Sequence, residues 1–119
     1  MKGERFLELV APVDRLRGPG GCPWDREQTF ETLKPMMLEE AYEVLDAMDS
    51  GDRQEFSSEL GDLLFQVVFL SRVAEDEGSF QIDEVAQKII DKMVRRHPHV
   101  FGSVNASTAG EVVQNWEGI

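Results

Sequence analysis

Apolar residues near the start of the chain fall at mostly helical spacing: Phe6, Leu7, Leu9, Val10, Val13 and Leu16. One short helix over 4–17 accounts for them, and Gly18-Pro19-Gly20-Gly21 ends it. The same period returns from Thr29 to Met48 with Phe30, Leu33, Met37, Ala41, Val44, Leu45 and Met48. Asp25, followed three residues later by Gln28, resembles a capping box ahead of this second helix, and Pro35 kinks it or starts its main part. Ser50-Gly51 is a stop signal, Asp52 with Glu55 is a further capping-box pattern, and a third helix is expected over 53–76. Gly78 closes that helix. Asp83 is expected to cap a fourth over 84–97, which Pro98 stops, and Thr108 with Glu111 opens a last short helix through Trp116. No stretch sustains a two-residue alternation of β-branched residues, so the pattern predicts an all-α chain of four to five helices packed as a bundle.

The third helix has a further consequence. Leu63, Leu64, Phe65, Val67, Val68, Phe69 and Leu70 make it apolar nearly all the way round, interrupted only by Gln66. Such a helix must be covered on several sides. Two flanking helices fall short of that, so a homodimer is expected, with Phe65 or Phe69 facing the partner. The alternative is the central core helix of a monomer.

Composition narrows the class. The 119 residues carry 12 Lys and Arg against 23 Asp and Glu, a net charge of −11, and contain no repeat or long linker. A single acidic domain over 1–119 is the expectation. The longest uninterrupted apolar run is only Val67 to Leu70, and the opening MKGERFLELV lacks a signal-peptide apolar region, so neither a membrane span nor export is expected. Cys22 stands alone and cannot form an internal disulfide, which fits a cytoplasmic protein. The negative balance argues against nucleic-acid binding, which depends on neutralising phosphates with Lys and Arg. It does not exclude one small anion held through a metal.

The informative chemistry lies between positions 39 and 62. Glu39, Glu40, Glu43, Asp46, Asp49, Asp52, Glu55, Glu59 and Asp62 face a single base, Arg53. Glu40 and Glu43 are three apart on the second helix and share a face; Glu59 and Asp62 repeat the spacing on the third. A tight Ser50-Gly51 turn would set the two pairs opposite each other in an antiparallel hairpin. Carboxylates converging in this way repel unless protonated or bridged by a cation, and hard oxygen ligands favour Mg²⁺, with Mn²⁺ as an alternative, over Zn²⁺. Gly61, between the two acids of the third helix, leaves room for a phosphate or a neighbouring helix. The plainer reading makes these acids the solvated faces of two charged helices.

Lys92 and Arg96 are four apart on the fourth helix, where one face could grip outer phosphates. Trp24, in a loop, could stack on a base. His97 and His99 flank a proline without the further partners of a zinc site, so His97 reads as a satisfied helix-end histidine.

Glu39-Glu40-x-x-Glu43, followed after fifteen residues by Glu59-x-x-Asp62, resembles the EExxE…ExxD signature of the MazG-type all-α nucleoside triphosphate pyrophosphohydrolases. The flanks agree: Gly21-Cys22-Pro23-Trp24-Asp25, Glu27-Gln28-Thr29, Gly61 to Val68, and Arg95-Arg96-His97-Pro98-His99-Val100-Phe101-Gly102. The resemblance implies Mg²⁺-dependent hydrolysis of nucleoside triphosphates to the monophosphate and pyrophosphate on a helical dimer. By matching position it implies Glu40, Glu43, Glu59 and Asp62 as metal ligands, and Glu39 as an accessory catalytic acid. It further implies phosphate contacts from Lys92 and Arg96, and a nucleotide contact from Trp116. Rival readings are a relative restricted to one nucleotide, such as dUTP, dCTP or phosphoribosyl-ATP, and a non-catalytic helical dimer that binds metal or nucleotide.

Overall fold

A computed structural model describes residues 1–103 and 105–117, the last three by their backbone. These residues form seven helices and no strand: α1 (Glu4–Arg17), α2 (Pro23–Glu27), α3 (Phe30–Ser50), α4 (Arg53–Asp76), α5 (Ile82–Arg96), α6 (Pro98–Phe101) and α7 (Ala109–Glu117). The all-α expectation holds, and α1, α3, α4, α5 and α7 are its five helices. No helix among the described residues is long and apolar enough to cross a membrane. Two helices were not expected. Both α2 and α6 are single short turns that begin on a proline, whose fixed φ suits the first helical position but produces no periodic signal over so few residues.

The helix starts follow local chemistry, with some exchange of partners. Asp25 lies inside α2 and does not cap α3; that task falls to Thr29, whose Oγ1 accepts from the Thr32 amide at 3.3 Å while Thr32 Oγ1 accepts from the Thr29 amide at 2.8 Å. Helix α3 then continues through Pro35 without a break. Gly51 ends it in the left-handed region, φ 80°, where a side chain would be strained. Asp52 caps α4 as expected, its Oδ1 accepting from the amides of Gln54 and Glu55 at 3.0 and 3.2 Å. The Asp52 amide is met by Ser50 Oγ at 3.1 Å, so Glu55 is not needed for a reciprocal bond. Helix α5 starts at Ile82, which puts Asp83 within the first turn, where its charge suits the helix dipole. At α7, Thr108 Oγ1 accepts from the Glu111 amide, while Glu111 reaches one residue further back, to the Ser107 amide.

The chain divides into two compact units, Met1–Gln81 and Ile82–Ile119. The first is built on the α3/α4 hairpin with α1 against α4. Its core holds Val13 from α1, Leu33, Val44 and Ala47 from α3, and Val68, Phe69, Val73 and Ala74 from α4. Phe69 is only 2% exposed, and Phe65 packs beside it at 5.6 Å between ring centroids. Phe69 therefore serves the core of its own unit, which leaves half-buried Phe65 as the one of the two that could face a partner. The exposed large apolar residues of the hairpin are Leu38, Tyr42, Leu45, Met48, Leu60 and Leu64.

Arg17 ties the unit together. Its Nε donates to Asp76 at 2.8 Å, and its Nη1 donates to the carbonyls of Asp25 and Gln28 at 2.7 and 2.9 Å. The guanidinium also lies 5.6 Å over the Phe69 ring. Asp76 accepts a second bond from Arg72, which reaches across to Asp14 on α1. Burial alone would raise the Asp76 pKa, but the bonds from Arg17 and Arg72 outweigh it and hold the carboxyl below its ordinary range. Gly21 completes the α1–α2 connection. Its backbone presses against the carbonyls of Arg15 and Leu16 so closely that a Cβ would collide, and this approach lets the Cys22 amide donate to Leu16 at 2.8 Å.

Arg17→Met keeps the stem of the side chain and deletes these bonds. It should lower unfolding stability by about 3 kcal/mol, the worth of one or two charge-assisted hydrogen bonds. Urea unfolding measures the loss, and a red shift of tryptophan emission in the native state would accompany a loosened α2.

Candidate metal centre

The tight turn at Gly51 sets α3 and α4 antiparallel, and their sequence spacing then places carboxylates in layers. Stepping from Glu43 to Glu40, Met36 and Leu33 along α3 is matched by Glu59, Asp62, Gln66 and Phe69 along α4, each step being three or four residues, about one helical turn. One oxygen each from Glu40, Glu43 and Glu59 lies within 4.8 Å of the others. Among the described residues this is the one group of three or more acid, histidine or cysteine side chains that converges so.

The electrostatics carry the mark of that convergence. Glu40 is pushed up to about 7, first by burial, then by its approach to Glu59 and by the charges of Glu59, Asp62 and Glu43. Glu43 is raised too, chiefly by the charge of Glu59, with burial next. Glu40 Oε1 and Glu59 Oε2 are both buried without a hydrogen-bond donor. Two shielded anionic oxygens lacking donors, beside a third acid within coordinating reach, fit a hard divalent cation. Such an ion neutralises the repulsion and supplies the partner that each oxygen lacks.

The other candidates are distributed as follows. Asp62 is exposed; its charge acts on Glu40, but its oxygens stand outside the converging trio. Glu39 is also exposed, and its charge acts on Glu43. Trp24 sits on α2 with 55% of its surface open. Lys92 and Arg96 belong to α5 in the second unit, Lys92 exposed and Arg96 half-buried. Trp116 lies outside the residues whose side chains are described. The His97 ring nitrogen Nδ1 meets the Met93 carbonyl, the satisfied helix end expected of it. Gly61 faces open space within the chain. Gln66, the lone polar residue in the apolar run of α4, is half-buried.

Comparison with known proteins bears on this geometry. Residues 28–101 match the MazG nucleotide pyrophosphohydrolase domain. A nucleoside triphosphate pyrophosphohydrolase of Escherichia coli K12 is 51% identical over 112 residues, 93% of this chain and 43% of that protein. The nucleoside triphosphate pyrophosphohydrolase/pyrophosphatase MazG of Thermotoga maritima is 44% identical over 117 residues, 98% of this chain and 44% of its own. The Bacillus subtilis protein YabN, uncharacterized, is 50% identical over 96% of this chain and 23% of its own. The crystal structure of a mazG-related protein from Thermotoga maritima superposes with a TM-score of 0.76 at 28% identity, covering 97% of this chain and 96% of that one. The chain thus spans between 23% and 44% of the curated relatives named here.

The raised Glu40 pKa fixes a direction for stability. With its folded value near 7 above the ordinary 4.5, the metal-free folded state binds more protons than the unfolded state between those two values. Stability should therefore fall as pH rises through that window in a chelator, and Glu40→Gln should flatten the slope. Asp76, held low, adds stability above its ordinary 3.8 that is lost only as pH falls, so it does not mask the effect. Urea midpoints measured across the window, with and without the substitution, check both statements.

Proposed function

The chain belongs to the MazG nucleotide pyrophosphohydrolase domain family, and from that premise we propose that it hydrolyses nucleoside triphosphates, with Mg²⁺, to nucleoside monophosphate and pyrophosphate. The observation that carries the reading is the convergence of Glu40, Glu43 and Glu59 within the matched region. These three acids hold the cation and Asp62 completes the set from its exposed position; Mn²⁺ suits the same all-oxygen donors. When bound, the ion supplies Lewis acidity and positive charge for a triphosphate. Glu39 acts beside Glu43 as the acid that orients or deprotonates the attacking water. Lys92 and Arg96 hold phosphate oxygens, and Trp24 and Trp116 hold the nucleoside. The net charge of −11 turns away polyanionic nucleic acid, leaving the triphosphate as the partner. A cytoplasmic setting, where such triphosphates are made and used, completes the reading.

A homodimer belongs to the same proposal. An apolar groove of about 380 Å³, lined by Phe30, Met37, Leu38, Ala41 and Leu70, adjoins the exposed apolar side of the hairpin. A second copy covers this surface, which a monomer leaves in water.

Purified protein with Mg²⁺ should release pyrophosphate from several nucleoside triphosphates. A single responding nucleotide would point to a specialist, and none from a folded protein to a non-catalytic module. Glu59→Gln should abolish pyrophosphate release and weaken Mg²⁺ binding by tenfold or more, about 1.4 kcal/mol, in titration calorimetry.

The dimer has its own check. Light scattering at micromolar concentration should give twice the 13.5 kDa chain mass. Leu64→Asp should shift it to the monomer, because association would bury an unpaired charge.

A further inference from the structure

A helix as short as the five residues of α2 cannot hold itself, because nucleation costs more than its few internal bonds return. It also lacks a side-chain cap at its start. Its place is therefore set by ties from neighbouring residues. The Cys22 amide donates to the Leu16 carbonyl at 2.8 Å, and Gln28 Nε2, on a side chain almost wholly buried, donates to the Trp24 carbonyl at 2.9 Å. Arg17 Nη1 donates to the carbonyls of Asp25 and Gln28, at the end of the helix. Of these ties only the last carries charge.

That charge depends on a residue 59 positions away. The Arg17 side chain is 9% exposed, and Asp76 is the one carboxylate that it meets among the described residues. A guanidinium so enclosed is stable only beside its counter-charge. Asp76 is aimed in turn by Arg72, whose Nε donates to its other oxygen at 3.0 Å while Nη1 holds Asp14 of α1. A chain of charged contacts thus runs from the last residue of α4, through Arg17, to the peptide groups that carry Trp24. The exposed ring of Trp24 is the far end of that chain, beside Met36, which is one helical turn from Glu40 on α3.

Resting on the pyrophosphohydrolase reading and its placement of Trp24 against the nucleoside, we propose that Asp76 is a positioning residue for nucleotide binding, acting through Arg17 to hold α2 and Trp24 in place. Neutralising Asp76 strands the Arg17 charge, which then turns to water and releases both carbonyls. Trp24 is left to be ordered by the nucleotide itself, and affinity falls by that cost. The chemical step is spared, since the converging acids lie on α3 and α4 and their hairpin is set by Gly51 and Asp52. Such a role raises KM and leaves kcat unchanged.

The test is a double-mutant cycle on the full chain with Mg²⁺, reading pyrophosphate release well below each variant's unfolding midpoint. The substrate is whichever of ATP, GTP, CTP and UTP the wild type turns over fastest. Asp76→Asn should raise KM about tenfold, or about 1.4 kcal/mol, with kcat within twofold, while Asp76→Glu, which keeps the charge, should stay within threefold of the wild type. Arg17→Met should raise KM equally, and adding Asp76→Asn to it should change nothing further. In a Trp116→Phe background Trp24 is the sole tryptophan, and its emission anisotropy should fall when Asp76→Asn is introduced. An unchanged KM in Asp76→Asn, additive effects in the cycle, or a raised KM with unchanged anisotropy overturns the proposal. Should Asp76→Asn fail to fold, Arg17→Met and the double variant decide, because neither carries a stranded charge, and a wild-type KM in either overturns it. Release with wild-type KM throughout removes the positioning role and leaves the hydrolase reading standing. No release by the wild type from any of the four nucleotides removes both.

Discussion

Mutual repulsion among carboxylates across one helical hairpin is the constraint on which this structure turns. Glu40, Glu43 and Glu59 are brought within 4.8 Å, and Glu40 answers by holding its proton up to about pH 7. A fold that wanted stability alone would let these side chains splay into solvent. Here Gly51 and the Asp52 cap set the hairpin, and Val44 and Ala47 bury the α3 face beside the acids. The helices cannot separate to relieve the charge without exposing their core.

The opposite end of α4 carries the compensating order. Arg17 and Arg72 converge on Asp76, with Asp14 joined through Arg72, in a network whose cations are all engaged by carboxylates or carbonyls. Attraction at one end of the hairpin thus anchors it against repulsion at the other, with the apolar run from Leu63 to Leu70 between them. The same Arg17 governs α2 through two backbone carbonyls, so the placement of Trp24 follows from an arginine seven positions earlier in the chain.

Much of this was legible locally. The limits of α1 and α4 followed from periodicity and from their glycine and aspartate boundaries, because caps and stops act through neighbouring atoms. Where a partner could be supplied by more than one neighbour, the sequence was ambiguous. Thr29 and Thr32 displaced Asp25 and Gln28 as the box of α3, and Ser50 took the bond that Glu55 would have made. Single-turn helices such as α2 escaped notice because five residues contain too little of a 3.6-residue period to register.

The sequence by itself determined the helical class, the hairpin and the pairing of acids at three-residue spacing, since each depends on interactions within a turn or across a tight connection. It also carried the family signature. Tertiary structure alone decided that Phe69 is core while Leu64 is exposed, and that Asp62 stands outside the converging trio. It alone set Gln66 beside Trp24 at a cavity. An all-round apolar helix offers no periodic asymmetry to say which side meets α1, α3 or solvent. That choice is made only when the faces of several helices must be filled at once, by residues far apart in the chain.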